Sequence, residues 1–225
     1  MKFSKTTFLV VLFGFSLLSF AQTPTPVATA TPASSSGSSV FKTIKLGFDL
    51  QPSEVKDFET LPSAEKEAKI RQLVINKYLT ALDKAGVIYG FEIVGMTKDP
   101  NFTVSKTSNS IDIYKFTVGE LGTELFSRQY GASQKDFFKR AKELGAGVCP
   151  AEVALALRLQ YTDQPDMDML RIATSSFKTQ LSSSAFLMVG RWNSKWKPWI
   201  FTYDTSKSDY GFINHSWIFC KEQTK

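Results

Sequence analysis

Two cysteines and a single histidine are the residues of this 225-residue chain that could form a nucleophilic site. Cys149 stands directly before Pro150 and three residues before Glu152, a pattern typical of the first turn of a helix. A helix N-terminus stabilises a thiolate, and the imidazole of His215 could act as the base that forms it. One hypothesis is therefore a thiol-dependent hydrolase that uses Cys149 and His215.

The same cysteine has a second interpretation, as one half of a disulfide with Cys220. An isolated pair of cysteines in an oxidising compartment most simply forms a bridge. The two hypotheses exclude each other, because residues 213–220 predict a strand in which His215 and Cys220 point to opposite faces. A bridge would place Cys149 on the Cys220 side, away from His215. We expect the disulfide, and no catalytic role for either residue.

The segment 191–199 (RWNSKWKPW) combines aromatic rings with positive charge. If exposed, it would bind a sugar ring, a glycan strand or a protein partner by stacking and cation–π contacts. The alternative is that two of its three tryptophans pack in the core. The predicted binding residues are Trp192, Lys195, Trp196, Lys197 and Trp199.

The remaining polar residues predict no metal site and no cofactor. Asp163, Asp166 and Asp168 crowd one turn, but an EF-hand loop would also need its glycine and final glutamate, so a solvated turn is favoured. The chain contains no HExxH, GxGxxG or Walker motif. Its basic residues are scattered among acidic ones, which argues against a nucleic-acid partner.

The hydrophobic pattern predicts the elements that position these residues. Helices are expected at 63–85, where apolar residues recur every three or four positions before Gly86, at 133–145 and at 150–159. Segment 87–96 fits either a strand or a helix. The predicted fold is α+β, with about three helices on one face of a mainly antiparallel sheet and a β-rich C-terminal part. Strands are expected at 41–50, 111–118, 170–173, 185–191, 199–203 and 213–220.

The start of the chain predicts export. Lys2 and Lys5 precede an apolar run at 8–20 that ends in Ala21, so residues 1–21 are expected to be a cleaved signal peptide. The run is too short for a transmembrane anchor, and no later segment is apolar enough to span a membrane. Residues 22–39 form a Thr/Pro/Ser-rich tether before a single domain at 40–225. We expect a periplasmic or extracellular protein.

Several blocks of the sequence resemble an uncharacterised bacterial protein family. The most specific are CPAEV at 149–153 and LRLQYTDQP at 157–165, and FKTIKLG at 41–47, NFTV at 101–104, VGELG at 118–122 and RAKELG at 140–145 accompany them. The resemblance implies a small α+β protein with no known activity, and it assigns no catalytic residue. The chain departs from the family pattern at 154–155 and 166–168, in its signal peptide and in Cys220.

Together these observations favour a binding protein over an enzyme. The main prediction is a non-catalytic exported module, held together by Cys149–Cys220, that binds a protein or a cell-envelope or glycan partner. The first alternative is the thiol-dependent hydrolase. The second is a secreted inhibitor or immunity-type protein, which fits the size of the domain but has no dedicated motif.

Overall fold

The computed structural model describes residues 39–117, 119–121, 134–177, 185–193, 195–204 and 216–222. The predicted signal peptide, all of the predicted tether except residue 39, and His215 lie outside these residues. The described part contains eight strands, namely β1 (Lys42–Leu46), β2 (Ile88–Tyr89), β3 (Asn109–Thr117), β4 (Ala146–Gly147), β5 (Met169–Ile172), β6 (Ala185–Gly190), β7 (Trp199–Asp204) and β8 (Ser216–Lys221). Its helices are α1 (Pro52–Val55), α2 (Ser63–Lys84), α3 (Phe91–Thr97), α4 (Gln134–Glu143) and α5 (Glu152–Gln160), with a 3-10 turn at Lys56–Phe58.

All eight strands belong to one mixed sheet. Their order is β1-β3-β8-β5-β6-β7-β2, and β4 pairs with the end of β8. Five pairings are antiparallel, while β5 runs parallel to β8 and β2 runs parallel to β7. The prediction of an α+β fold is confirmed. The sheet is less uniformly antiparallel than expected, because the last strand lies at its centre beside a strand of the same direction.

Each central strand buries side chains on both of its faces. On the first face, Ile113 and Ile218 pack with residues of α2, α3 and α5. On the second face, Phe116 and Trp217 pack with Phe137 of α4. The prediction that the helices cover one face is therefore wrong: a strand that is apolar on both faces must be covered on both.

The described helices also outnumber the three that were predicted. The long periodic helix is confirmed at Ser63–Lys84, and it is followed by Gly86 in the left-handed region at φ +68°. The ambiguous segment 87–96 contains both elements, since β2 comes first and α3 follows it. The four-residue α1 was missed because one turn is too short to show periodicity. Among the described helices, none has the length and apolar character needed to cross a membrane.

The predicted bridge between Cys149 and Cys220 is present. The Cα atoms lie 5.0 Å apart, and both sulfurs are buried. The neighbouring Gly147 pairs with Cys220, and the N–H of Cys149 donates to the carbonyl of Ala173 at 2.6 Å. The bridge therefore joins the segment that leads into α5 to the central strand of the sheet.

Removal of the bridge should destabilise the fold. The cysteines are 71 residues apart, and closing a loop of that length in the unfolded chain contributes about 4 kcal/mol on the chain-entropy model. The double variant Cys149→Ala/Cys220→Ala should lose about that much free energy of unfolding in urea, and the reduced and alkylated wild type should lose a similar amount. A loss below about 1 kcal/mol would show that the bridge does not stabilise the fold by restricting the conformational freedom of the unfolded chain.

Candidate functional site

Helix α5 is buried along its first seven residues and carries a charged side chain near each end. Glu152 lies at its N-terminus and Arg158 in its last turn, the arrangement that the helix dipole favours. These side chains are only 1% and 3% exposed, respectively. A buried charge is costly unless hydrogen bonds replace the water around it, so partners must surround each end.

Donors from two other segments surround the Glu152 carboxylate. The N–H of Ser105 donates to Oε1 at 2.7 Å, and the Ser105 hydroxyl donates to the same oxygen. The Tyr78 hydroxyl donates to Oε2 at 3.3 Å and accepts the N–H of Gly47 at 2.8 Å. Burial raises the pKa of Glu152, against the opposing effect of these hydrogen bonds. The carboxylate holds the fold together and is out of reach of a substrate.

Gly47 is required at its position in this network. Its φ of +66° is in the left-handed region, and a Cβ there would lie 2.8 Å from the carbonyl oxygen of Thr107 and 2.9 Å from that of Ser105. The last residue of the FKTIKLG block therefore lets the chain pass close to the loop that binds Glu152.

Neutral acceptors bind the two terminal nitrogens of the Arg158 guanidinium, whereas its buried Nε has no hydrogen-bond partner among the described residues. It donates to the side-chain oxygen of Gln164, to the carbonyl of Tyr161 and, at 3.3 Å, to the carbonyl of Gly190. Gln164 in turn donates to the carbonyl of Asp168 at 2.9 Å. Burial lowers the pKa of Arg158 to about 10, so the group remains charged at neutral pH. Arg158 thus ties α5 to the turn that follows it and to the end of β6.

Gln160, the last residue of α5, occupies the outer edge of β1. Its side-chain oxygen accepts the N–H of Lys45 at 2.9 Å, and its side-chain N–H donates to the carbonyl of Lys45 at 2.7 Å. A neighbouring strand would make the same two bonds. The polar residues of the CPAEV and LRLQYTDQP blocks therefore have structural roles, as Glu152, Arg158, Gln160 and Gln164 show.

A cleft of about 540 Å³ opens beside the disulfide, between α4 and the ends of β4 and β8. Lys142 and Lys221 line it, together with both cysteines. Because Cys149 is bonded to Cys220, it has no thiol to supply to the hydrolase hypothesis. The proposed base, His215, lies outside the described residues.

The loop that joins β6 to β7 exposes four of the five predicted binding residues. Trp192 is 42% exposed and Trp196 is 61% exposed, and Lys195 and Lys197 are exposed beside them. We call these four side chains the Trp–Lys surface. Trp199 does not belong to it: the prediction of a binding role for this residue is wrong, because it begins β7 and is only 1% exposed.

Trp199 instead supports the surface from below. Its ring lies over Gly190, where a Cβ would be 2.2 Å from a ring carbon, so only glycine leaves room for it. The ring of Trp192 packs against it at 5.5 Å between centroids, and the ring of Phe201 stacks on Trp199 at 5.1 Å between centroids. The exposed Trp192 therefore rests on a row of rings fixed to the sheet.

Hydrogen bonds restrain the described residues of the loop. The Asn193 side chain accepts the N–H of Lys195, and the Asn193 carbonyl accepts the N–H of Trp196, each at 3.0 Å. The carbonyl of Arg191 accepts the N–H of Met167 at 2.8 Å, which joins the loop to the turn after α5. A surface held in this way loses little conformational freedom when it binds.

The second face of the sheet also buries an arginine that the sequence analysis did not single out. Arg171 is almost fully enclosed, and its guanidinium lies 4.0 Å from the ring centroid of Tyr203 and 5.6 Å from that of Trp217. Burial lowers the pKa of Arg171. The only available signal was a lone charge inside the apolar run MLRIA, which also fits a half-exposed strand.

Asp163 and Asp166 are exposed in turns, as the prediction of a solvated turn requires, whereas Asp168 is partly buried just before β5. Asp168 pairs with Lys115 at 2.9 Å, Asp163 lies 3.8 Å from Lys42, and Asp166 is exposed. Within the described ranges, no group of three acidic, histidine or cysteine side chains is arranged to hold a metal ion.

Comparisons of the chain with protein-family models, with curated proteins and with solved structures find no match. Functional inference therefore rests on the geometry of the Trp–Lys surface and on the network that supports it.

The buried Glu152 should make stability depend on pH. Folding raises its pKa above the ordinary 4.5, so its contribution to the free energy of unfolding is fully present below that pH and is lost as the pH rises through the raised pKa. Relative to Glu152→Gln, the wild type should therefore become more stable as the pH is lowered from about 7 to about 4. Urea unfolding across this range measures the difference.

A difference between Glu152→Gln and wild type that stays constant across this pH range would contradict the assignment of Glu152 as a destabilised buried charge.

Proposed function

We propose that the mature chain is a non-catalytic, exported binding module that attaches to a cell-envelope component through the Trp–Lys surface. The observation that carries this proposal is the exposure of Trp192 and Trp196 on a loop whose described residues are hydrogen-bonded to one another and to the turn after α5. Large exposed aromatic side chains are costly to leave in water, and a rigid support beneath them is typical of a recognition surface.

The chemistry of the buried polar residues also favours binding over catalysis. The Glu152 carboxylate and the Arg158 guanidinium are enclosed by protein partners, and Cys149 is held in a disulfide. Glu152 and Arg158 are too buried to reach a substrate, and Cys149, although it lines the cleft, carries no thiol while the bridge is intact. The described residues thus offer the hydrolase alternative no nucleophile at Cys149.

Export is the part of the proposal that accounts for the disulfide, because a buried bridge persists in an oxidising compartment. When the full chain is expressed in a bacterium, intact-mass analysis of the periplasmic and secreted fractions should find a protein that begins at Gln22. It should take up two alkyl groups only after reduction. A chain retained in the cytoplasm with its first 21 residues, or one that is alkylated without reduction, would contradict export.

Binding can be measured by sedimentation with purified bacterial cell-wall sacculi. Trp192→Ala and Trp196→Ala should each weaken retention at least tenfold, roughly the effect of truncating a central aromatic contact. The matched control is Phe91→Ala, which removes an aromatic ring at the start of α3 that is 65% exposed, close to the value for Trp196.

The control variant should sediment like the wild type. In urea unfolding, the free energy of unfolding of each variant should stay within about 0.5 kcal/mol of the wild-type value. Absence of retention of the wild type, or equal retention of the wild type and both tryptophan variants, would overturn the proposal.

A further inference from the structure

We infer that the ligand of the Trp–Lys surface is an acidic glycan, whose sugar rings stack on Trp192 and Trp196 while its carboxylates or phosphates bind Lys195 and Lys197. This inference rests on the proposed function and specifies the chemistry of the partner. It follows from two features of the loop: the arrangement of its rings and its charge.

The rings suit the flat face of a pyranose. A sugar presents C–H groups on one face, which pack on an indole ring, and hydroxyl groups around its rim, which remain in water. Trp196 is more exposed than Trp192, which leans on Trp199 at 5.5 Å. One ring is thus supported by the sheet and the other is more exposed to solvent, so each offers a ring face on which a sugar unit can stack.

The charge of the loop selects an acidic ligand. Residues 191–203 contain three basic residues and no acidic one. Lys195 and Lys197 stand on either side of Trp196 in the chain, and neither has an ion-pair partner among the residues that the structure describes. An anion bound there gains charge-assisted hydrogen bonds without breaking an existing pair.

The same features fit two other classes of partner less well. Proteins that bind a membrane surface by charge do so through clusters of about four to eight lysines or arginines, more than this loop provides. A single-stranded nucleic acid needs a continuous basic groove beside the stacking rings, whereas the basic residues elsewhere in the domain are interspersed with acidic ones. A glycan needs only the rings and a local charge.

The experiment compares polymers that separate ring from charge. Polygalacturonate supplies acidic pyranose rings, its methyl ester supplies the same rings without charge, and polyglutamate supplies the charge without rings. Binding to the mature protein is followed by tryptophan fluorescence at low and high salt. The variants are Trp196→Ala and Lys195→Gln/Lys197→Gln. The matched control is Lys69→Gln/Lys84→Gln, which removes two exposed charges from α2.

We expect polygalacturonate to bind at least tenfold more tightly than either comparison polymer, with an affinity that falls as salt rises. Trp196→Ala should abolish this binding, Lys195→Gln/Lys197→Gln should reduce it to the level of the methyl ester, and Lys69→Gln/Lys84→Gln should leave it unchanged. The inference would be overturned if polygalacturonate did not bind, or if its methyl ester bound equally well. It would also be overturned if polyglutamate, phosphatidylglycerol vesicles or an oligothymidylate bound more tightly than polygalacturonate.

The sedimentation assay with sacculi distinguishes the two levels of failure. If retention by sacculi depends on Trp192 and Trp196 while polygalacturonate is not preferred, the acidic-glycan inference is wrong and the proposed function stands. If the wild type is retained by neither material, both are wrong.

Discussion

Two opposite charges at the ends of a buried helix impose the main constraint on this fold. Water cannot solvate Glu152 or Arg158, so protein groups must replace it, and those groups come from segments far apart in the chain. Ser105, Tyr78 and Gly47 are brought together at one end of α5. The helix therefore fixes the positions of loops that have no regular structure of their own.

The Trp–Lys surface is connected to the Arg158 end of this helix. Arg158 bonds to the carbonyl of Gly190, the last residue of β6, and Gly190 is also the residue that leaves room for the ring of Trp199. Trp199 then supports Trp192. A chain of direct contacts thus leads from a buried charge to an exposed aromatic ring, while the disulfide secures the opposite end of the helix to β8.

Local pattern was sufficient to predict the long helix, most strands and the disulfide, because periodicity, capping residues and an isolated cysteine pair are properties of short segments or of composition. The parity of the last strand is also confirmed, since Trp217 and Phe219 pack on one face while Ile218 and Cys220 pack on the other. The use of both sheet faces was missed, because the sequence does not state which strands are neighbours. The sequence left open which tryptophan of the segment is buried for the same reason: the burial of Trp199 depends on Gly190 across a strand pair.

The side chain of Gln160 has a consequence beyond the packing of α5. An outermost strand normally displays free N–H and C=O groups, on which a strand of another molecule can assemble. At Lys45 these groups are already occupied by an amide of the same chain. The protein thereby closes part of its own sheet edge without adding a strand, and copies that meet at high concentration find no template for strand-by-strand aggregation at that point.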